Sequence, residues 1–290
     1  MGTASFQFER WNVSGRRFWR RLAPRCGEQD CRHTRSLWRR FSGVRSAVLE
    51  GSRYCLERCL EAALSQALGR VRSLPHDAVV AHRVPLGLLL LSRQQITVEQ
   101  LRTALEAQRS ASHGRIGDWL QQLGFVSEHQ VTAALARQWS CPVLRANSPV
   151  ARNKTFPQIP VALLESFAMV PVDYVEATKT LHVAFGEGLD YGVLYAIEQM
   201  IGCHTEACLA VPSLVRARLQ TISHRREDSE VLFERLAEDT DLSRIIRSYC
   251  ARLSASEIRL ASCGPYVWVR LLRPARPPLD LLLRSPQTVH

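Results

Sequence analysis

Pro85-Leu86-Gly87-Leu88-Leu89-Leu90, followed by Gln94, Leu101, Leu105 and Gln108, returns thirty residues later as Arg115-Ile116-Gly117-Asp118-Trp119-Leu120, followed by Gly124, Val131, Leu135 and Gln138. Each copy has an apolar residue before Gly, a Leu three residues after it, an apolar helical face and a closing Gln. The Leu-Gly segment predicts a short helix, then a turn, then a second helix. Thr97 with Gln100, and Ser127 with Gln130, have the spacing of a capping box. Leu101, Ala104, Leu105 and Gln108 fall on one helical face, as do Val131, Ala134, Leu135 and Gln138. The result is a small four-helix domain. A repeat of this size predicts a site with two related halves.

Outward from the repeat, the pattern changes period. Pro160 to Ala168 reads as a short helix, Met169 to Val175 as a strand and Leu181 to Phe185 as a second strand. Residues 189–201 read as a helix, Cys208 to Val211 as a strand and Pro212 to Ile222 as a helix with Pro at its start. This predicts a small α/β-sandwich-like domain. Asp241 to Leu253 reads as a helix. Glu257 to Ala261 and Tyr266 to Leu272 alternate like strands around Cys263-Gly264-Pro265. Arg276 to His290 is Pro-rich and reads as a frayed end. Upstream, Tyr54 to Arg72 has a helical period that ends before Pro75. The fold class expected is α+β and multi-domain. Its parts are a basic, Cys-containing segment at 1–80, the paired-motif domain at 81–145, a small α+β domain at 155–223 and a partial α+β module at 238–275.

A hydrophobic content of 46% excludes wholesale disorder. The net charge is +11, and residues 1–80 hold fifteen Arg against seven acidic residues. Arginine and aromatics interleave there: Trp11, Arg16-Arg17-Phe18-Trp19-Arg20-Arg21 and Trp38-Arg39-Arg40-Phe41. Such a segment suits an acidic partner, an anionic membrane surface or a nucleic acid. No run approaches the roughly 18 apolar residues of a membrane span, and no signal peptide is read. The expectation is a cytoplasmic chain, with peripheral contact at an anionic membrane surface as its furthest reach. There, nine Cys point to reduced thiols or metal. Cys26-x4-Cys31 and Cys55-x3-Cys59 form two pairs, the number of thiolates a structural Zn2+ takes. The other reading of Cys55 and Cys59 is two small apolar residues on a buried helix face. Cys141, Cys203, Cys208, Cys250 and Cys263 read as structural.

The paired motif resembles the Arg-Leu-Gly…Gly…Leu…Leu…Gln repeats in the N-terminal region of type II secretion and type IV pilus assembly ATPases. In some members that region is a cyclic-di-GMP receptor. The run Ile159-Pro160…Leu164…Phe167…Val170-Pro171-Val172 is similar to the second half of that region. Leu181-His182-Val183-Ala184, Asp190 and Ile197-Glu198 fit its remainder. Ser256 to Leu260 and Val267 to Arg270 resemble the start of the domain that precedes the ATPase core. The resemblance covers about residues 84–272.

It implies a cyclic-di-GMP site at Leu86, Gly87, Leu90, Leu101, Leu105, Gln108, Arg115, Ile116, Gly117, Leu120, Gly124, Val131, Leu135 and Gln138. Arg would stack on a purine and donate to its edge, Leu would pack on the rings, and Gln would supply paired donors and acceptors. Copy two keeps every motif position. Copy one has Pro85 in place of Arg and Gln94 in place of Gly, with Arg83 nearby as a substitute. Two readings stay open: retained ligand binding, or a helical fold that uses the same residues for packing. The resemblance also implies a secretion or pilus inner-membrane complex, or its ATPase, as partner. The chain has no Gly-x4-Gly-Lys-Ser/Thr phosphate loop, and neither Lys154 nor Lys179 follows a glycine. It ends where an ATPase core would begin, so the expectation is a regulatory or scaffold protein without enzyme activity. The rival expectation is a basic, zinc-containing nucleic-acid-binding protein.

Overall fold

The computed structural model describes residues 26–28, 31, 45–56, 58–73, 83–145, 156–223, 229–234 and 239–284. The Arg/Trp-rich stretches before residue 26 and at 38–41 lie outside the described residues, as do residues 146–155 and 224–228. The fold is α+β, with two sheets among the described residues, and the chain divides into two compact units. One lies within Met1–Arg70, Leu236–Leu260 and Val269–Leu279; the other lies within Val71–Arg235, Ala261–Trp268 and Asp280–His290. Among the described residues, no helix is long and apolar enough to cross a membrane.

The first unit opens on a hairpin. Strands β1 (Ser46–Leu49) and β2 (Ser52–Cys55) pair antiparallel, with Leu49 opposite Ser52. Glu50 and Gly51 between them both have positive φ, the signature of a two-residue hairpin turn. Helix α1 (Arg58–Ser73) follows and buries Leu60, Leu64, Ala67 and Leu68. The helix predicted from Tyr54 therefore begins later, because Tyr54 and Cys55 close a strand.

The second unit carries the repeat as α2 (Leu86–Ser92), α3 (Val98–Ala111), α4 (Ile116–Gln122) and α5 (Glu128–Gln138). Both predicted capping boxes form. Thr97 accepts from the Gln100 amide at 3.2 Å, and Ser127 accepts from the Gln130 amide at 3.3 Å. The glutamine side chains accept in return from the capping amides at 2.9 and 2.8 Å. The core these helices share is Leu86, Leu90, Ile96, Ala104, Leu120, Val126, Val131 and Ala134.

Helix α6 (Val161–Ser166) leads into the three-stranded sheet. Its strands are β3 (Met169–Val175), β4 (Thr180–Phe185) and β5 (His204–Leu209), in that order. β3 and β4 are antiparallel, and β4 and β5 are parallel across helix α7 (Tyr191–Ile197) and a π-turn at Glu198–Gly202. Pro171 sits at a bulge on the edge strand, where its missing N–H is tolerated. Helix α8 (Pro212–Ser223) closes the module. The helical pair is tied to it: Glu128 accepts from the Ser213 amide at 2.7 Å and its hydroxyl at 2.6 Å, and the Leu144 amide donates to the Leu209 carbonyl at 2.7 Å.

The remaining elements are β6 (Glu230–Phe233), α9 (Asp239–Leu253), β7 (Glu257–Cys263), β8 (Tyr266–Arg273) and β9 (Arg276–Arg284). The larger sheet has the order β2-β1-β7-β8-β9-β6. The frayed end expected at Arg276 is instead a strand up to Arg284. It pairs parallel with β6, and Leu281, Leu282 and Leu283 are fully buried. Pro277 and Pro278 stand at its start, which leaves the rest free to pair. Cys250 and Cys263 are fully buried, as structural thiols are; burial pushes the Cys250 thiol up to about 12.

Candidate functional site: the paired motif and its flanking loop

The two copies are related by exchange. Gln108 donates its side-chain amide to the Gly114 carbonyl at 2.8 Å, and Gln138 donates its own to the Val84 carbonyl at 2.7 Å. Val84 and Gly114 are equivalent, each standing one residue before its motif. Each copy's closing Gln thus holds the opening loop of the other copy. A simple translation would send Gln138 onward along the chain. Its return to Val84 makes the relation a closed pseudo-two-fold.

The glycines follow the same symmetry. A Cβ on Gly87 would lie 2.6 Å from Leu101 Cδ1, and one on Gly117 would lie 3.2 Å from Val131 Cγ1. Leu101 and Val131 are equivalent positions, so each Gly lets its short helix approach the long helix of its own copy. The Gly117 site also touches Leu86 of the other copy, at 3.1 Å. Leu90 and Leu120 are fully buried; Leu101, Leu105, Ile116 and Leu135 are half-buried. Of the predicted site residues, Leu86, Leu90, Leu101, Ile116, Leu120, Val131 and Leu135 therefore line the shared core or its edge, while Leu105 is half-buried outside it. Gln108 and Gln138 already use a donor on a loop carbonyl.

The departures of copy one have local explanations. Arg115 opens α4, and its amide donates to Asp118 Oδ2 at 3.2 Å. Pro85 opens α2 and has no amide to satisfy, and Leu88 stands where Asp118 would. Gln94 adopts φ 58°, almost the φ 71° of its equivalent Gly124. The left-handed turn is kept although the residue that favours it is gone, at a strain of about 1 kcal/mol. Gln94→Gly is therefore expected to stabilise the helical pair by about 0.5–1 kcal/mol, read as a shift of the urea midpoint. Gly124→Gln should do the reverse.

Copy two ends in polar and aromatic groups that the sequence pattern did not single out. Arg115 Nη1 donates to the Glu187 carbonyl at 3.0 Å and lies 3.3 Å from its carboxylate. The Arg115 side chain is 68% exposed, so this ion pair is weak. The same loop carries Gly188, whose ideal Cβ lies 3.4 Å from the Trp139 ring. Trp139 follows the closing Gln138; its ring lies 6.0 Å from that of Tyr191, and the Arg83 guanidinium carbon sits 3.1 Å from its centroid. Arg115 is thus paired with the loop between β4 and α7, and Arg83 is stacked on Trp139, whose ring faces Gly188 of that loop. Only Trp139's place beside the motif's last residue could have marked it in the sequence. The opening of copy one also leaves two apolar residues, Val84 and Leu88, half exposed.

About half of the chain is similar to MshE with cyclic-di-GMP. That match has 26% identity and a TM-score of 0.41, and it covers 48% of this chain and 99% of the MshE chain. The N-terminal domain of XpsE is similar over 47% of this chain and 91% of its own, with 19% identity and a TM-score of 0.37; a second crystal form gives 19% and 0.31. No protein-family model matches the sequence, and no curated protein matches it.

In the first unit, the side chains of Cys26, Cys31, Cys55 and Cys59 come together, all four Sγ atoms lying within 4.8 Å of one another. Burial, the largest cause, pushes the Cys59 thiol up to about 12 and the Cys55 thiol higher.

Proposed function

We propose that this chain acts by binding, as a regulatory or scaffold protein that senses cyclic-di-GMP through the paired motif and passes that state to a secretion or pilus inner-membrane complex or its ATPase. The observation that carries the reading is the reciprocal Gln108–Gly114 and Gln138–Val84 exchange, which sets the two motif openings as related halves. A ligand with two guanines and two phosphates has matching halves. The absence of a phosphate-loop sequence supports a role without ATP hydrolysis.

Binding by such a site is lopsided. Arg115 offers a guanidinium for stacking and for hydrogen bonds to a purine edge. The other half has Pro85, with Arg83 already stacked on Trp139. Glu187 competes for Arg115 and repels an anionic ligand.

Calorimetric titration with cyclic-di-GMP tests this. Arg115→Ala should weaken binding roughly ten- to hundredfold, the loss of about 1–3 kcal/mol. Glu187→Gln should strengthen it severalfold, and Pro85→Arg should do so by supplying the second guanidinium. Wild-type protein giving no heat at high ligand concentration, with no gain from Glu187→Gln or Pro85→Arg, would remove the ligand and leave the helical pair as a protein-docking fold.

A further inference from the structure

We infer that Cys26, Cys31, Cys55 and Cys59 bind one zinc ion as a closed tetrathiolate that fastens Cys26 and Cys31 to the first hairpin and to the start of α1. Three separate pieces of chain supply the ligands. Cys26 and Cys31 lie on the segment before the hairpin. Cys55 is the last residue of β2, and Cys59 is the second residue of α1. The backbone holds these pieces in place without the sulfurs: the Gly27 amide donates to the Arg53 carbonyl at 2.7 Å, and the Leu56 amide donates to the Arg45 carbonyl at 3.1 Å.

The spacing of the sulfurs fits the ion. Tetrahedral Zn–S bonds of about 2.3 Å put neighbouring sulfurs about 3.8 Å apart. Cys31 and Cys55 are 3.5 Å apart, and Cys26 and Cys55 are 3.8 Å apart. Cys31 and Cys55 are 2% and 4% exposed, so the ion would be shielded on that side, with half-buried Cys26 and Cys59 completing the shell. The donor set is all sulfur, which selects zinc over the oxygen-seeking calcium and magnesium. Four protein ligands leave no open position for water or substrate. The site is therefore structural, and its consequence is for folding: metal binding contributes directly to the stability of the first unit. A disulfide is the competing chemistry, but it would need two sulfurs at about 2.05 Å and would use only two of the four.

The test uses the full chain, expressed with zinc and purified under thiol reductant without chelator. Elemental analysis should find about one zinc per chain. Exchange with Co2+ should give the visible ligand-field bands and sulfur-to-metal charge-transfer bands of a tetrahedral tetrathiolate. Chelation should expose four additional thiols to a thiol reagent and lower the thermal midpoint. Cys55→Ser should reduce zinc to well under one per chain; should that variant not fold, the wild-type cobalt spectrum decides. Reduced wild-type protein that holds no stoichiometric zinc and gives no tetrathiolate cobalt spectrum overturns the assignment. So does a cobalt spectrum of mixed oxygen and nitrogen ligation.

Discussion

A chain ended after Ala275 is expected not to fold its second unit. The deletion removes β9, whose Leu281, Leu282 and Leu283 are fully buried in that unit. At about 1.5–3 kcal/mol for each buried leucine, the three of the second unit contribute about 4.5–9 kcal/mol, against a total of about 5–15 for a domain. The loss goes beyond leucines. β6 loses its partner along Glu230 to Phe233. Trp268, fully buried, loses Asp280, to which its indole N–H donates at 2.8 Å. Far-UV circular dichroism and the yield of soluble protein are the measurements. A truncated chain that melts at the wild-type midpoint would show that β9 adds nothing to the core.

The second large effect lies inside the repeat. Leu90→Ala and Leu120→Ala should each destabilise the helical pair by about 2–5 kcal/mol, since both side chains are fully buried in its core. The pseudo-two-fold adds a sharper demand: the two costs should agree to within about 1 kcal/mol, because the core they share is built from equivalent positions such as Ile96 with Val126 and Ala104 with Ala134. Hydrogen exchange of the amides in α3 and α5 reads this locally, without requiring the whole chain to unfold in one step. Equal loss of protection in both helices, from either substitution, is the expected pattern. A large cost at Leu120 beside a negligible one at Leu90 would mean that the copies are not structurally equivalent.

The repeat was legible because two independent codes coincide in it. Its apolar spacing follows the helical period, and Thr97/Gln100 and Ser127/Gln130 mark where the long helices begin. The β3–β4 pair was legible for a plainer reason: Met169 to Val175 and Leu181 to Phe185 are short, Val-rich apolar runs. The first hairpin was not. Its turn puts Glu50 at φ 49°, a conformation that the identity of a glutamate does not announce. Reading helix through Tyr54 then hid the strand that ends at Cys55. β9 was masked by Pro277 and Pro278, whose effect stops at the start of the strand, while Leu279 to Leu283 behind them form a buried run.

The candidate site divides in the same way. Gly87, Gly117, Gln108 and Gln138 declared themselves by recurring. Glu187, Trp139 and Tyr191 do not recur, and only folding brings their loop beside Arg115 and Trp139 beside Arg83. The four cysteines were legible as pairs, but their convergence depends on a hairpin that the sequence did not show.

The crossed glutamines have one more consequence. Neither bond depends on which copy comes first along the chain, since each copy gives one donor and receives one. The short link after Ala111 is thus a tether rather than a part of the architecture. A permuted chain carrying the two copies in the opposite order would close the same pair of clasps.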